Sequence, residues 1–500
     1  MTTLLSHPSF TAGPGDQHRG PDDVKREPAQ DQPSKPTQVV RRVLQTLTAL
    51  AAAVGAWAAA APLGGSAPFV ATIFALAVWA WMATTINDTF VALAATVALV
   101  AGGALTAEDF FAPLGASLTW LLIGAFVLAA AVTQTGLAVR IVARACAHAV
   151  TARALVHTVA ALAAATAFAV PATSGRAALL LPVFGALATT VAQTQPWLTK
   201  VLALLIPTTV LFTAAASLIG AGAHLITVQV LTTSGEDPIT FTQWLIWGVP
   251  YAAIMTVMSA EIVLLAFTTP AQRAQPLELD LAEKTPTPQR HAQQRTAIAI
   301  LAGAVIAWLT QSLHGLDPAV VAVVAALLVT APGIGVISLP QAMKKVPFHL
   351  LIFMAATVAL ARALMDSGIS EALGTWAASL LGDNPIAFVW GIIIASALAH
   401  LVIQSRSARS AVLIPLVVAL APQMGLDPVA AAFASTVAAG LCHTLPASAK
   451  PLAIFAAIDD HPTFDRRDLI RLSLILAPLH IAVTGACAFF LWPVLGLSLN

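Results

Sequence analysis

Two short stretches carry residues whose types and spacing suit anion chemistry. Pro171 to Pro182 reads P-A-T-S-G-R-A-A-L-L-L-P, and Gln404 to Pro415 reads Q-S-R-S-A-R-S-A-V-L-I-P. Aligning the closing prolines gives an offset of 233 (415 minus 182), which lays Ser174 on Ser407 and Arg176 on Arg409. Each stretch interrupts an apolar segment, so each reads as two half-helices meeting at a polar tip. A helix N-terminus presents free N–H groups and partial positive charge to an anion. The hydroxyls of Thr173, Ser174, Ser405 and Ser407 add donors at the same depth. The guanidinium fork of Arg176, Arg406 or Arg409 matches a carboxylate, sulfate or phosphate. A buried arginine costs about 2.5–3.5 kcal/mol on the lenient insertion scale, so three in corresponding places need a compensating partner. The seven residues form a candidate substrate site. The plainer reading has the hydroxyls capping broken helices and the guanidiniums bonding carbonyls at the breaks.

A second pair of interruptions follows. Thr213 to His224 reads T-A-A-A-S-L-I-G-A-G-A-H, and Ala438 to Pro451 reads A-A-G-L-C-H-T-L-P-A-S-A-K-P. Glycine and proline permit unwinding, and unwound carbonyls coordinate cations. Gly220, Gly222, His224, His443, Pro446, Ser448 and Lys450 are therefore candidates for a coupling-ion site or a fixed cation. Both segments place a histidine shortly after Ala-Gly, and histidine is the side chain that titrates near neutral pH. A neutral imidazole donating to a carbonyl is the alternative.

These residues need a membrane to position them. The chain has 500 residues, 58% hydrophobic and 9% charged, with formal net charge +1. A soluble domain carries about 25% charged residues, so an all-α polytopic membrane protein is expected. The near-zero balance gives no global attraction to nucleic acid. Cys146, Cys442 and Cys487 are too scattered for a disulfide framework or a zinc cluster. Residues 1–38 are rich in proline and charge and read as a disordered cytoplasmic tail without a secretory signal. Apolar runs then recur at lengths able to cross ~30 Å of hydrocarbon. They give a first crossing in 39–65, one unit over 66–268 with a hairpin at 153–195, a polar linker at 269–295, and a second unit over 296–500 with a hairpin at 385–421. The total is about eleven crossings plus two re-entrant hairpins.

With the N-terminus inside, predicted cytoplasmic segments collect Arg140, Arg144, Arg153, Lys200, Arg273, Lys344, Lys345 and Arg466. Predicted outer segments collect acids, from Glu108 and Asp109 to Asp427. That distribution follows the positive-inside rule, with Arg362 the exception. Five crossings separate the two units, so the second is inverted relative to the first. Inverted units with broken helices meeting at midplane mark alternating-access transporters.

At the hairpins, and at G-L-A-V-R-I-V (Gly136–Val142) and L-L-I-F-M-A-A-T-V-A-L-A-R-A-L-M-D-S-G (Leu350–Gly368), the chain resembles the divalent anion/sodium symporter (DASS) family of the ion transporter superfamily. The resemblance implies an elevator-type carrier in the cytoplasmic membrane, commonly a homodimer. It implies dicarboxylates, tricarboxylates or sulfate as substrates, with sodium, protons or a counter-anion as driver. The family's Ser-Asn-Thr tip falls here on Ala172-Thr173-Ser174 and on Ser405-Arg406-Ser407, and its Thr-Pro-Pro-Asn stretch falls on Ala449-Lys450-Pro451-Leu452. Arg406 and Lys450 thus stand where that family shapes its ion sites, and are expected to act as tethered cations. No enzyme motif is present: HExxH is missing and no aspartate pair lies within the crossings. No cofactor beyond a coupling Na+ or H+ is expected. The alternatives are a cation/proton antiporter of the same superfamily, which needs a core carboxylate and has only Glu261, or a passive anion channel.

Overall fold

The computed structural model describes residues 35–192, 194–277, 288–381, 384–458 and 463–499. Contacts divide the chain into two units, Met1–Thr48 and Ala49–Asn500. Of the first, the described part is the start of the helix Lys35–Ala60. The tail expected at 1–38 lies outside the described residues as far as residue 34, and 35–38 are helical. The architecture below belongs to the second unit.

Among the described residues every named element is a helix, and nine helices are long and apolar enough to cross a membrane. They include Ser117–Gln134, Pro196–Ala216, Phe241–Phe267 and Phe348–Asp366, with shorter apolar helices between them. Helices satisfy their own backbone groups, which is the condition for spanning hydrocarbon. The all-α polytopic class is confirmed.

Element order recurs along the chain. Ser117–Gln134, Leu137–Cys146, Ala152–Ala165 and Thr173–Ala192 are followed by Pro196–Thr213 and Gly222–Thr233. Phe348–Asp366, Ile369–Leu381, Pro385–Leu398 and Arg406–Leu420 are followed by Pro428–Ala438 and Lys450–Ala456. Leu137–Cys146 and Ile369–Leu381 are short helices that hydrophobic run length does not reveal. The linker expected at 269–295 is partly helical, because Pro270–Ala274 is a helix and Pro288–Leu309 begins before residue 296. Proline at N1 suits a helix start, since its missing N–H would be unpaired there anyway. Thr269 also caps the shorter helix through the Gln272 N–H.

Small residues and polar ties hold the bundle. Ser117–Gln134 packs along Pro318–Thr330, and a Cβ added at Gly124 would lie 2.6 Å from the Ala322 carbonyl carbon. Close backbone approach of this kind is how membrane helices gain packing without a hydrophobic effect. At the end of that seam the Ser117 hydroxyl donates to Asp317 at 2.7 Å. Thr96 donates to the Ala356 carbonyl at 3.0 Å, tying Asp88–Ala101 to Phe348–Asp366. Arg362 pairs with Asp109 at 3.3 Å, which explains its departure from the charge rule. Asp109 closes a capping box with Thr106, whose hydroxyl and N–H hold the Asp109 carboxyl below the usual carboxylate range.

Candidate functional site

The two helix–break–helix segments explain themselves locally. In the first, Ala152–Ala165 runs into a 3-10 turn, Thr166–Phe168, and a new helix, Thr173–Ala192, starts after Pro171. Ala172 sits at φ 68°, a left-handed conformation costly for a residue with a Cβ. Its N–H donates to the Ile219 carbonyl at 3.3 Å, fastening the tip to the first broken crossing. In the second, Ser405 caps Arg406–Leu420 by accepting from the Ala408 N–H at 3.3 Å.

The breaks in the two crossings share one backbone course. Ser217 and Leu445 are extended at φ −136°, ψ 141° and φ −134°, ψ 150°. A 3-10 turn follows in each, Leu218–Gly220 and Pro446–Ser448. Ala221 and Ala449 are extended again at φ −152°, ψ 148° and φ −156°, ψ 139°, and a helix resumes. Each correspondence is 228 residues (445 minus 217, 449 minus 221), so Lys450 stands where the first break has Gly222. That corrects the sequence pairing of the two histidines. His443 precedes its 3-10 turn, whereas His224 follows its own and lies inside the resumed helix.

Both tips and both breaks line one cavity of about 1080 Å³. Thr173, Ser174, Ser405, Arg406 and Ser407 contribute from the tips, and Gly222, Ser448 and Lys450 from the breaks. Arg176, Arg409, Gly220, His224, His443 and Pro446 are not in its lining. Lys450 is exposed to it, and its ammonium makes no hydrogen bond or ion pair among the described residues. The charged lining residues are Asp88, Lys345, Arg406 and Lys450.

Arg176 and Arg409 are bonded internally and lie outside the cavity lining. Arg176, 0% exposed, donates to Thr166 Oγ1 at 2.9 Å, the Val210 carbonyl at 3.0 Å, the Ala163 carbonyl at 2.8 Å and Thr213 Oγ1 at 2.7 Å. It ties the helices on either side of the first break, Ala152–Ala165 and Thr173–Ala192, to Pro196–Thr213. Arg409, also 0% exposed, donates to the Leu441 carbonyl at 3.1 Å and to the Cys442 sulfur at 2.7 Å. Both guanidiniums bond carbonyls at or beside the breaks. Arg406 behaves differently: it reaches away from its own hairpin to the Leu211 and Thr436 carbonyls, both at 3.4 Å.

The histidines are also engaged. His224 stacks on Trp244 with centroids 4.8 Å apart, and lies 3.0 Å from the Ser217 carbonyl through Nδ1 and 3.2 Å from Arg406 through Nε2. An arginine only donates, so Nε2 is the acceptor and Nδ1 carries the proton. His443 stacks on Phe212 at 4.6 Å and is fully buried. Glu261 accepts from Arg153 at 2.7 Å and contacts His157 at 2.5 Å.

Sequence reasoning missed Asp88, Lys345, His349 and Gln404 as lining residues. Asn87-Asp88 is a polar pair between two apolar helices, a usable signal. Lys345 was counted only toward orientation.

Gly222 has a steric duty. An added Cβ would lie 2.9 Å from Leu350 Cδ1 and 3.3 Å from Ser407 Oγ. Gly222→Ala is expected to retain its fold, since leucine can yield, while pushing Ser407 and cutting transport several-fold. Melting temperature and uptake rate measured on the same preparation check this.

A family model described as a citrate transporter, CitMHS, matches residues 74–438, which is 365 of 500 residues (438 minus 74 plus 1). The chain belongs to the citrate transporter family. This CitMHS-family protein is thus a membrane transporter, within the superfamily that its hairpins and breaks resemble. Two solved transporters share the fold. The YdaH transporter of Alcanivorax borkumensis superposes with a TM-score of 0.54 at 18% identity, covering 79% of this chain and 88% of that one. MtrF of Neisseria gonorrhoeae, from a class of antimetabolite efflux pumps, gives 0.54 at 14% identity over 81% and 85%. A curated protein of Cupriavidus necator, called a membrane protein, is 27% identical over 208 residues. That alignment spans 40% of this chain and 40% of the relative's length.

Proposed function

We propose that this CitMHS-family protein is a secondary active transporter of small multivalent carboxylates, with citrate the first anion to test. One observation supports the reading: both tips and both breaks line one cavity, whose charged lining residues are Asp88, Lys345, Arg406 and Lys450, three cations to one carboxylate. The helices beginning at Thr173, Gly222 and Arg406 direct N-terminal N–H groups to that region. Hydroxyls of Ser174, Ser405 and Ser407 supply neutral donors, and the ammonium of Lys450 supplies charge. The two units, read as inverted repeats, would exchange access by moving the hairpins against the Ser117–Gln134 and Pro318–Thr330 seam. Because the loop 84–87, the helix start at Asp88 and Lys345 also line the cavity, this conformer reads as open to the side rich in lysine and arginine, the cytoplasmic side.

Radioligand binding to the detergent-purified protein tests the reading. Labelled citrate is expected to bind saturably and to be displaced by unlabelled citrate; absence of saturable binding by citrate, succinate and sulfate alike would sink it.

Coupling through Glu261 is disfavoured by its position, which leaves Asp88 as the carboxylate that lines the cavity. Glu261 is held by Arg153 and His157 and is not part of the cavity lining. Glu261→Gln is expected to leave anion uptake near the unaltered rate and its pH profile unchanged, while costing about 1 kcal/mol or less of stability. A lost pH dependence would return Glu261 to the coupling machinery.

A further inference from the structure

The two broken crossings bring their first halves to a common centre. Pro196–Thr213 and Pro428–Ala438 are those halves, and Leu211 and Thr436 each lie two positions before the α-helical end. Carbonyls there lie in the last α-helical turn, toward the negative end of the helix dipole, with the first helix tightening into the 3-10 turn Ala214–Ala216. Two such ends facing one region at membrane depth call for a cation. What occupies the region is Arg406. Its Nη1 donates to the Leu211 carbonyl and its Nη2 to the Thr436 carbonyl, at 3.4 Å in both cases. His224 Nε2 completes the set at 3.2 Å.

The acceptors are two carbonyl oxygens and one neutral imidazole, with no carboxylate among them. A guanidinium held only by neutral ligands occupies the position a bare monovalent cation would take between the same half-helices. The surroundings are shaped to admit it. A Cβ added at Gly440 would lie 3.5 Å from Arg406 Nη2, an ordinary contact, so the guanidinium packs directly against that backbone. Trp244 backs His224, and the Ser217 carbonyl fixes its tautomer so that Nε2 presents a lone pair. The first hairpin carries Thr173 at the position equivalent to Arg406 (406 minus 233), so the cation comes from one half alone.

We infer that Arg406 is a built-in cation, occupying between the two broken crossings the place of a sodium-sized ion and making the protein's stability and transport independent of one. Lys450 has a separate role. It has no carbonyl partner among the described residues and faces the cavity, so it is left to the substrate. The inference rests on the transport reading but not on which anion is carried.

Arg406→Thr installs the residue that the first hairpin already accommodates. The unaltered protein, Arg406→Thr and Arg406→Lys are compared by thermal unfolding in detergent, in sodium chloride and in choline chloride at equal ionic strength. Uptake is measured in the same two salts. The unaltered protein and Arg406→Lys are expected to melt alike in both salts. Arg406→Thr is expected to melt lower in choline and to recover by several degrees in sodium, because a ligand that binds only the folded state stabilises it. A melting point of the unaltered protein raised by sodium would overturn the inference. So would a folded Arg406→Thr that is indifferent to sodium. If Arg406→Thr is recovered folded only when prepared in sodium, the inference stands; if in neither salt, the guanidinium is a structural tie and the inference falls. Failure of the unaltered protein to take up any anion would count against the transport reading alone, since the unfolding comparison needs no substrate.

Discussion

Lys450→Gln is expected to weaken anion binding by roughly 10- to 100-fold, the range that loss of a charge-assisted hydrogen bond worth about 1.5–3 kcal/mol gives. The expectation follows from where the second break resumes its helix. Ala449 is extended and Lys450 is the first helical residue, so its side chain is displayed at the tip of a half-helix and exposed to the cavity. A lysine at membrane depth without a protein partner is costly unless it meets water or a ligand. Lys450 makes no ion pair among the described residues, so removing its charge leaves no acceptor orphaned in the fold. Melting temperature should therefore hold while affinity falls. Citrate binding and thermal unfolding on one preparation check both halves; equal affinity for the variant would remove Lys450 from the site.

Arg176→Ala is expected to destabilise the protein by about 2–5 kcal/mol. Four acceptors, on Thr166, Val210, Ala163 and Thr213, lose a donor at once, with the Ala163 carbonyl keeping the Thr166 hydroxyl. A polar contact inside a membrane protein averages only about 0.6 kcal/mol. The cavity left by a fully buried side chain adds a comparable or larger sum. Arg409→Ala should cost less, because it loses one carbonyl and one weak sulfur acceptor. Thermal unfolding of the two variants side by side reads the order. The reverse order would mean that the second hairpin, not the first, is the one riveted to its neighbours.

The two arginines illustrate what the sequence could tell. The 233-residue offset between closing prolines matched Arg176 to Arg409 correctly, and both prove to be carbonyl-bonded ties within their own halves. Helical spacing located them near the tips but carried no information on which face of the helix each occupied. Arg406, three residues before Arg409, sits at the first turn, where a long side chain can run ahead of its helix into the centre. The histidine pairing failed for a different reason. Ala-Gly before each histidine suggested a common position, yet backbone conformation aligns Gly222 with Lys450 and leaves His224 and His443 unrelated. Unwound segments have no periodicity to read, so their register is visible only in dihedral angles. The amphipathic helices Leu137–Cys146 and Ile369–Leu381 escaped because a search for apolar runs of membrane length passes over them. Fold class, by contrast, followed from composition alone, since a chain with 9% charged residues cannot cover a soluble surface.

Counterflow in proteoliposomes tests the central claim most directly. Vesicles loaded with unlabelled citrate are diluted into trace labelled citrate, with the unaltered protein and with folded Lys450→Gln. The account predicts a transient, saturable accumulation of label above equilibrium for the unaltered protein, strongly reduced for the variant. Label that merely equilibrates at a rate proportional to its concentration, identically for both proteins, would contradict a carrier with its anion site between the hairpin tips.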